Sequence, residues 1–333
     1  MRPGFKRGVN SAVIRPYWLD SAACGAVLGG LFPVLLRLAE KLAGTISIRP
    51  AREIPIKTFE KNTVFITGGA SGIGLGMAKA FADRGMSVAL ADIDAVQLKS
   101  AGEQIAAMGA PVKTYTLDVT DKNAVVAAVD DARKTFGKIN IVCANAGVSG
   151  RMDSLDKVSV DDWDWIIDVN LKGVVYVIQA CMPYLLQNPR EAHIVITSSI
   201  SGLRVYQPSR RQGMYNTTKY GLVGLGEALS LDLEPKGVGV SILCPGVVNT
   251  NISHSGRNRP DKYGGVLETN ADHELAKAAG YGTDPRQFGE WVVKAIEEKR
   301  LYVITHPGDR ELVETRQQRI LDAFDASDNL TGT

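Results

Sequence analysis

Seven short runs, most of them nearly continuous Val, Ile, Leu and Ala, punctuate the chain from Lys57 onward. They are Thr63–Thr67, Ser87–Ala91, Val112–Leu117, Ile139–Ala144, His193–Thr197, Gly239–Cys244 and Leu301–Thr305. Apolar runs of this length without polar alternation predict strands buried on both faces, which is how parallel sheets read. Between them apolar positions recur at helical spacing over 73–84, 94–108, 121–136, 155–187, 215–234 and 284–299. Strands alternating with helices predict a single doubly wound α/β Rossmann domain over 57–333, with a seven-stranded parallel sheet and helices on both faces. One long irregular stretch, Asn251–Gly282, is rich in Gly, Asn and charge. A loop of that length inside a compact domain is usually a lid or binding element.

Residues 1–56 follow another pattern and are expected to form a helical extension. Arg2, Lys6, Arg7 and Arg15 precede an apolar stretch from Ala22 to Leu36, the way signal peptides, anchors and presequences begin. Gly29, Gly30 and Pro33 interrupt it, and it is shorter than the ~20 residues a spanning helix needs. An interfacial helix about 21–42, giving weak membrane association, is therefore one expectation; an incidental extension is the other. Across the 333 residues, 45% are hydrophobic and 22% charged, which excludes a disordered chain. Charge balances to +2 with no long run of one sign, so nothing asks for nucleic acid. Cys24, Cys143, Cys181 and Cys244 show no metal-ligand spacing. They read as free thiols of a cytoplasmic protein, peripheral to a membrane at most, and no metal is expected.

Strand one ends in a glycine-rich turn, Gly68-Gly69-Ala70-Ser71-Gly72-Ile73-Gly74, and a helix follows. Glycines there permit a tight turn and close approach of a pyrophosphate, and the helix N-terminus offers its free N–H groups to the anion. Asp92, followed by Ile93, ends strand two. A carboxylate at that place accepts from both hydroxyls of an adenosine ribose and repels a 2′-phosphate, which argues for NAD over NADP. The uncharged Ser71 agrees. Asp92 could instead cap the next helix, although Asp94 can fill that role. Asp118 and Val119 close strand three, either beside an adenine edge or as a cap.

Tyr215-Asn216-Thr217-Thr218-Lys219 opens a helix, which sets phenol and ammonium on one face, one turn apart. A fixed positive charge near a phenol favours phenolate, so Tyr215 can act as acid or base near neutral pH. Upstream, strand five runs into Ser198-Ser199-Ile200-Ser201-Gly202, delivering hydroxyls to the carboxyl end of the sheet. Asn145-Ala146-Gly147 follows strand four, Asn170 sits inside a long amphipathic helix, and Pro245-Gly246-Val247-Val248-Asn249-Thr250 leaves strand six.

Together these motifs resemble the short-chain dehydrogenase/reductase family over about 57–306. The resemblance implies a catalytic tetrad of Asn170, Ser199, Tyr215 and Lys219. Tyr215 would transfer the proton and Ser199 would polarise the carbonyl. Lys219 would lower the tyrosine pKa and hold the nicotinamide ribose, and Asn170 would hold a water that links Lys219 to solvent. It also implies that Asn145 and Gly147 lie beside the cofactor, that Pro245, Gly246, Val248 and Thr250 lie near the nicotinamide, and that the protein is a homodimer or homotetramer. Two features depart from the family. Ser199 and Tyr215 are 16 residues apart, with Arg204, Arg210 and Arg211 between them, in a segment that reshapes the pocket, binds an anionic partner or is a solvated surface loop. Ala144 stands where a first asparagine is frequent.

The segments Trp163–Asn170, Arg259–Gly264 and Leu301–Pro307 look most like bacterial dehydrogenases that oxidise benzylic alcohols of lignin-derived aryl ethers. The expected reaction is hydride transfer between NAD and a hydrophobic or aromatic secondary alcohol or ketone. An NADPH-dependent ketone or 3-oxoacyl reductase is the alternative, and a silent nucleotide-binding scaffold is an alternative of another class.

Overall fold

The computed structural model of the protein describes residues 58–205, 211–268 and 282–331. The expected extension over 1–56, Arg210 and residues 269–281 of the expected loop lie outside them. Seven strands form one sheet: β1 (Thr63–Thr67), β2 (Ser87–Asp92), β3 (Val112–Thr116), β4 (Ile141–Ala144), β5 (His193–Thr197), β6 (Gly239–Cys244) and β7 (Tyr302–Ile304). Their order is β3-β2-β1-β4-β5-β6-β7, and every neighbouring pair is parallel. All of β1, β4 and β5 is buried, which is why these strands read as apolar without alternation. The edge strands β3 and β7 are half exposed and carry polar residues or tyrosine instead.

Helices α1 (Gly72–Ala82), α2 (Ala95–Ala107) and α7 (Pro285–Glu297) pack Met77, Phe81, Leu98, Ile105, Phe288 and Val292 against one face of the sheet. The opposite face receives Val125 and Val129 from α3 (Lys122–Phe136), Val177 and Ile178 from α5 (Val174–Leu185), and Leu222 from α6 (Gly213–Leu233). Each such side chain contributes about 1.5–3 kcal/mol on burial. This is the doubly wound class that the periodicity predicts.

Three differences bear on the site. The helix expected over 155–187 is two helices: α4 (Val160–Ile167), opened by a capping box between Ser159 and Asp162, and α5, joined by a π-helical turn, Asp168–Gly173. The expected irregular stretch contains two 3₁₀ turns, Ile252–Asn258 and Asp261–Tyr263. A last helix, α8 (Arg310–Thr331), lies where no element was expected. Its polar sequence leaves most of it exposed. By length and composition Val160–Leu185 could cross a bilayer, but here its apolar residues Trp165, Ile166, Val174, Val177, Ile178 and Leu185 are core.

Chain order reverses between β1 and β4. From β1 the sheet grows through β2 to β3, and it then resumes from β4 on the other side. The carboxyl ends of β1 and β4 therefore open a crevice in which ligands of such sheets bind.

Candidate active site

Asn145, the first residue after β4, ties three strand ends together at that crevice. Its backbone N–H donates to Thr67 Oγ1 at 3.1 Å, and its Nδ2 donates to the carbonyls of Thr67 and Gly68 at 3.0 and 3.2 Å. Its Oδ1 accepts from Thr197 Oγ1 at 3.0 Å. The side-chain amide is thus engaged at both ends, by β1 and the glycine turn on one side and by β5 on the other. Asn145 lines the cleft, and it is also the knot of the crevice. The signal for that role was the pair of threonines at the strand ends, which sequence reading passed over.

The glycine turn fits a dinucleotide phosphate on two observations. A Cβ on Gly74 would stand 2.0 Å from the Gly68 carbonyl oxygen, so α1 meets the turn with no room for a side chain. The N-cap, Ser71, makes no side-chain hydrogen bond to the first turn of α1. The N–H groups of that turn are therefore available to an anion in the cleft that Gly68, Ser71, Gly72 and Ile73 line. Thr250 leans on the turn, 2.9 Å from where a Gly72 Cβ would be.

Asp92 is not the cap of α2. Asp94 is, accepting from the Gln97 N–H at 3.1 Å. Asp92 instead accepts from the N–H groups of Ala70 and Asp94, both at 3.0 Å, and its half-buried carboxylate lines the cleft beside Ile93. Burial pushes its pKa up, against the pull of those N–H groups. Asp118 and Val119 line the same cleft; the cap of α3 is Asp121.

Tyr215 and Lys219 share a face of α6, with the Lys219 Nζ 5.4 Å from the centroid of the Tyr215 ring. Lys219 is buried, and its Nζ donates to the Thr197 carbonyl at 3.0 Å. Burial pushes its pKa down to about 8, so at neutral pH the amine is still an ammonium. Ser199 stands at the end of β5 on the same cleft. Its Oγ accepts from the Ser201 N–H at 3.1 Å and donates to the Pro245 carbonyl over a long 3.4 Å. The neighbouring Ser198 Oγ donates to the Lys219 carbonyl at 2.8 Å, locking the end of β5 to α6.

Asn170 occupies the π-helical turn and is wholly buried. Its Oδ1 accepts from the Val148 N–H at 2.8 Å, and its Nδ2 donates to the Val148 carbonyl and to Thr218 Oγ1 at 3.0 and 3.1 Å. It brackets the backbone that follows β4 and fastens it to α6. A point in the place of a Gly147 Cβ is 3.3 Å from Asn170 Oδ1 and 3.5 Å from Lys219 Nζ. Of the residues singled out from sequence, Gly147, Pro245, Gly246, Val248 and Thr250 also line the cleft; Gly74 and Asn170 lie directly behind it.

The same cleft is lined by Met152, Trp165, Val169, Gln212, Pro260 and Tyr263, and Trp165 and Tyr263 pack in one cluster with Tyr215. Its aromatic wall is held by buried charge. The Arg259 guanidinium lies 5.6 Å from the Trp165 ring, and its Nη1 is 2.8 Å from Asp162 Oδ1. Burial alone would raise the Asp162 pKa. The N–H and hydroxyl of Ser159, with Arg151 and Arg259, hold it below the ordinary carboxylate range. The Tyr263 hydroxyl donates to Asp168 Oδ2 at 2.6 Å. Pairs 97 and 95 residues apart leave no trace in sequence spacing.

The described part of the segment between Ser199 and Tyr215 is not uniformly solvated. Arg204 is not on a solvated loop: it is buried and paired with Asp309, just before α8. Arg211 pairs with Asp153 at 3.1 Å. Cys143, Cys181 and Cys244 are buried free thiols. Among the described residues no group of three or more His, Cys, Asp or Glu is placed to hold a metal ion.

Comparison with known proteins agrees with this geometry. Residues 62–261 match the family model for short chain dehydrogenases. The C alpha-dehydrogenase of a Sphingobium species is 33% identical over 271 residues, covering 80% of this chain and 88% of that protein. The CLA biosynthesis dehydrogenase/reductase of Lactiplantibacillus plantarum is 34% identical over 278 residues, covering 80% and 95%. A short-chain dehydrogenase/reductase from Burkholderia phymatum, crystallised with NAD, superposes with a TM-score of 0.74 at 34% identity, covering 79% of this chain and 95% of that one. A doubly wound sheet, a glycine turn at its switch point and a Tyr-x-x-x-Lys helix beside it are thus joined to similarity over most of the chain, and the protein belongs to the short-chain dehydrogenase family as an oxidoreductase acting on CH–OH groups.

Proposed function

We propose that the protein oxidises a hydrophobic secondary alcohol with an aryl group near the carbinol carbon, and that NAD is its cofactor. The observation that carries this reading is the placement of Tyr215, Lys219 and Ser199 on one cleft that is also lined by the glycine turn, by Asp92 and by the aromatic rings of Trp165 and Tyr263. NAD, when bound, supplies the hydride acceptor; the protein supplies the rest. Tyr215 takes the proton of the alcohol as its C–H bond breaks. The Lys219 ammonium, 5.4 Å from the ring, favours the phenolate form that can do so. Ser199 holds the reacting oxygen by exchanging its long bond to Pro245 for one to the substrate. Asn170 keeps the Val148 backbone and α6 at a fixed separation. A water beside Gly147 would reach both Asn170 and Lys219 and return the proton to solvent.

Asp92 is read as the acceptor for the adenosine ribose hydroxyls, which favours NAD. The Burkholderia structure with NAD is consistent with this. Trp165, Tyr263 and Met152 supply flat and polarisable surface for an aromatic ring, in keeping with the similarity to a C alpha-dehydrogenase. Assembly as a homodimer or homotetramer through α6 and the helix pair α4–α5 belongs to the same reading.

Tyr215→Phe tests the mechanism. Turnover is expected to fall by about 10³-fold or more, with NAD affinity unchanged in a fluorescence titration; persistent turnover would remove Tyr215 from its role. A panel of aryl, steroid and aliphatic secondary alcohols, followed by absorbance of the reduced nicotinamide, tests the substrate class.

A further inference from the structure

The cleft has a roof. The 3₁₀ segment Ile252–Asn258 and the turn Asp261–Tyr263 cross its open side and are pinned at several points. Ser255 Oγ accepts from the Ser149 N–H at 3.1 Å, and the Tyr263 hydroxyl reaches Asp168. Toward the glycine-turn end, Lys262 Nζ donates to Thr120 Oγ1 at 3.3 Å, and Arg257 Nη2 donates to Asp94 Oδ2 at 3.4 Å. Arg257 lines the cleft together with Asp92 and Ile93. Neither the glycine turn nor the end of β2 carries a basic residue. Among the described residues lining the cleft, this guanidinium from a distant loop is therefore the cation brought to that corner.

The grip of Arg257 on Asp94 is replaceable. Asp94 is already held by its own helix, accepting from the Gln97 N–H at 3.1 Å and from Gln97 Nε2 at 2.6 Å. The contact with Arg257 is the longest of the three. Meanwhile Arg257 Nη1 is braced on the His254 carbonyl at 3.1 Å, which keeps the head group over the cleft while Nη2 changes partner. A guanidinium presents a planar fork of donors that matches phosphate oxygens. Asp92 lies close by, since its Oδ1 accepts from the Asp94 N–H at 3.0 Å.

We propose that Arg257 is a second determinant of nucleotide choice, a roof-borne cation that engages a 2′-phosphate and so admits NADP to a site whose Asp92 favours NAD. The proposal rests on the reading of Asp92 as the ribose acceptor. It assigns to the loop after β6 a role in cofactor selection as well as in substrate enclosure.

Binding without turnover tests it. Purified full-length wild type, Arg257→Ala, Arg257→Lys and Asp92→Ala are titrated with NAD, NADP and 2′,5′-ADP, following intrinsic fluorescence or heat. Wild type should bind NADP and 2′,5′-ADP measurably. Arg257→Ala should weaken both by about tenfold while moving NAD by less than about twofold, and Arg257→Lys should recover part of the loss, since its charge remains but its fork does not. Added salt should shrink the difference between wild type and Arg257→Ala. The proposal is overturned if wild type shows no NADP binding, if Arg257→Ala leaves NADP unchanged, or if it weakens NAD and NADP equally. The ribose reading fails separately, if Asp92→Ala leaves the NAD to NADP ratio where it was.

Discussion

Replacing Lys219 with methionine should trade activity for stability, with a pH signature that identifies the cause. The Lys219 ammonium is buried, and its Nζ donates to the Thr197 carbonyl at 3.0 Å. Burial lowers its pKa from the ordinary 10.5 to about 8, which corresponds to about 3 kcal/mol of destabilisation of the charged form. A methionine side chain fills similar volume without the charge. It leaves the Thr197 carbonyl without that donor, a loss of about 1–2 kcal/mol. The net expectation is a variant about 1–2 kcal/mol more stable than wild type at pH 7. Its turnover should be at least about 100-fold lower. Between the folded pKa of about 8 and the ordinary 10.5, the unfolded wild-type chain binds the proton that the folded chain has released. This group therefore makes wild-type stability rise with pH across that window. The Lys219→Met variant has nothing to titrate at that position, and the gap should close or reverse by about pH 10. Urea midpoints of both proteins, taken at intervals from neutral pH to about pH 10, measure this, alongside NAD reduction with an aryl alcohol. A variant less stable than wild type at neutral pH, or a wild-type stability that does not gain on the variant as pH rises, would refute the reasoning.

Two further outcomes follow from the contacts around the site. Asp162→Ala strands the buried Arg259 charge and should destabilise the fold by about 3–5 kcal/mol, read from urea midpoints; at a temperature where it remains folded, KM for the alcohol should rise while NAD affinity holds. His306 Nδ1 accepts from the Gly246 N–H at 3.0 Å, and its ring stacks on Phe288, so it positions the turn whose Pro245 carbonyl faces Ser199. His306→Phe keeps the stacking and removes the acceptor; kcat should fall by about tenfold, roughly one hydrogen bond, and His306→Asn, which restores an acceptor, should recover most of it.

The sheet was legible because its inner strands, buried on both faces, read as unbroken apolar runs; every strand lies within a residue of its expected bounds except β4, which starts two residues later. The glycine turn, Asp92 and Tyr215–Lys219 were legible because local spacing alone sets their geometry. Less was visible where partners are distant in sequence. The Arg259–Asp162 pair, the Arg204–Asp309 pair and the reach of Arg257 to Asp94 depend on how loops return across the sheet. Asn170 stood out as an amide inside an amphipathic helix, and its partners, Val148 and Thr218, are 22 and 48 residues away. Nothing in Asp168–Gly173 distinguishes a π-helical turn from an ordinary one, because the wider turn is selected by what lies on either side of it. The exposed α8 has no continuous apolar stripe to announce it.

That wider turn has a mechanical consequence. A helix of unbroken pitch running from Val160 to Leu185 would have to compromise between two neighbours that lie in different directions: the aromatic wall, met by Trp165 and Ile166, and the sheet, met by Val174, Val177 and Cys181. The extra residue works as a gear change, rephasing the second half against the first and leaving Asn170 at the joint. Side chains upstream of the joint, Trp165 of the cleft lining among them, can then be exchanged without rotating those that seat the helix on the sheet. Pocket shape and foundation are free to vary independently.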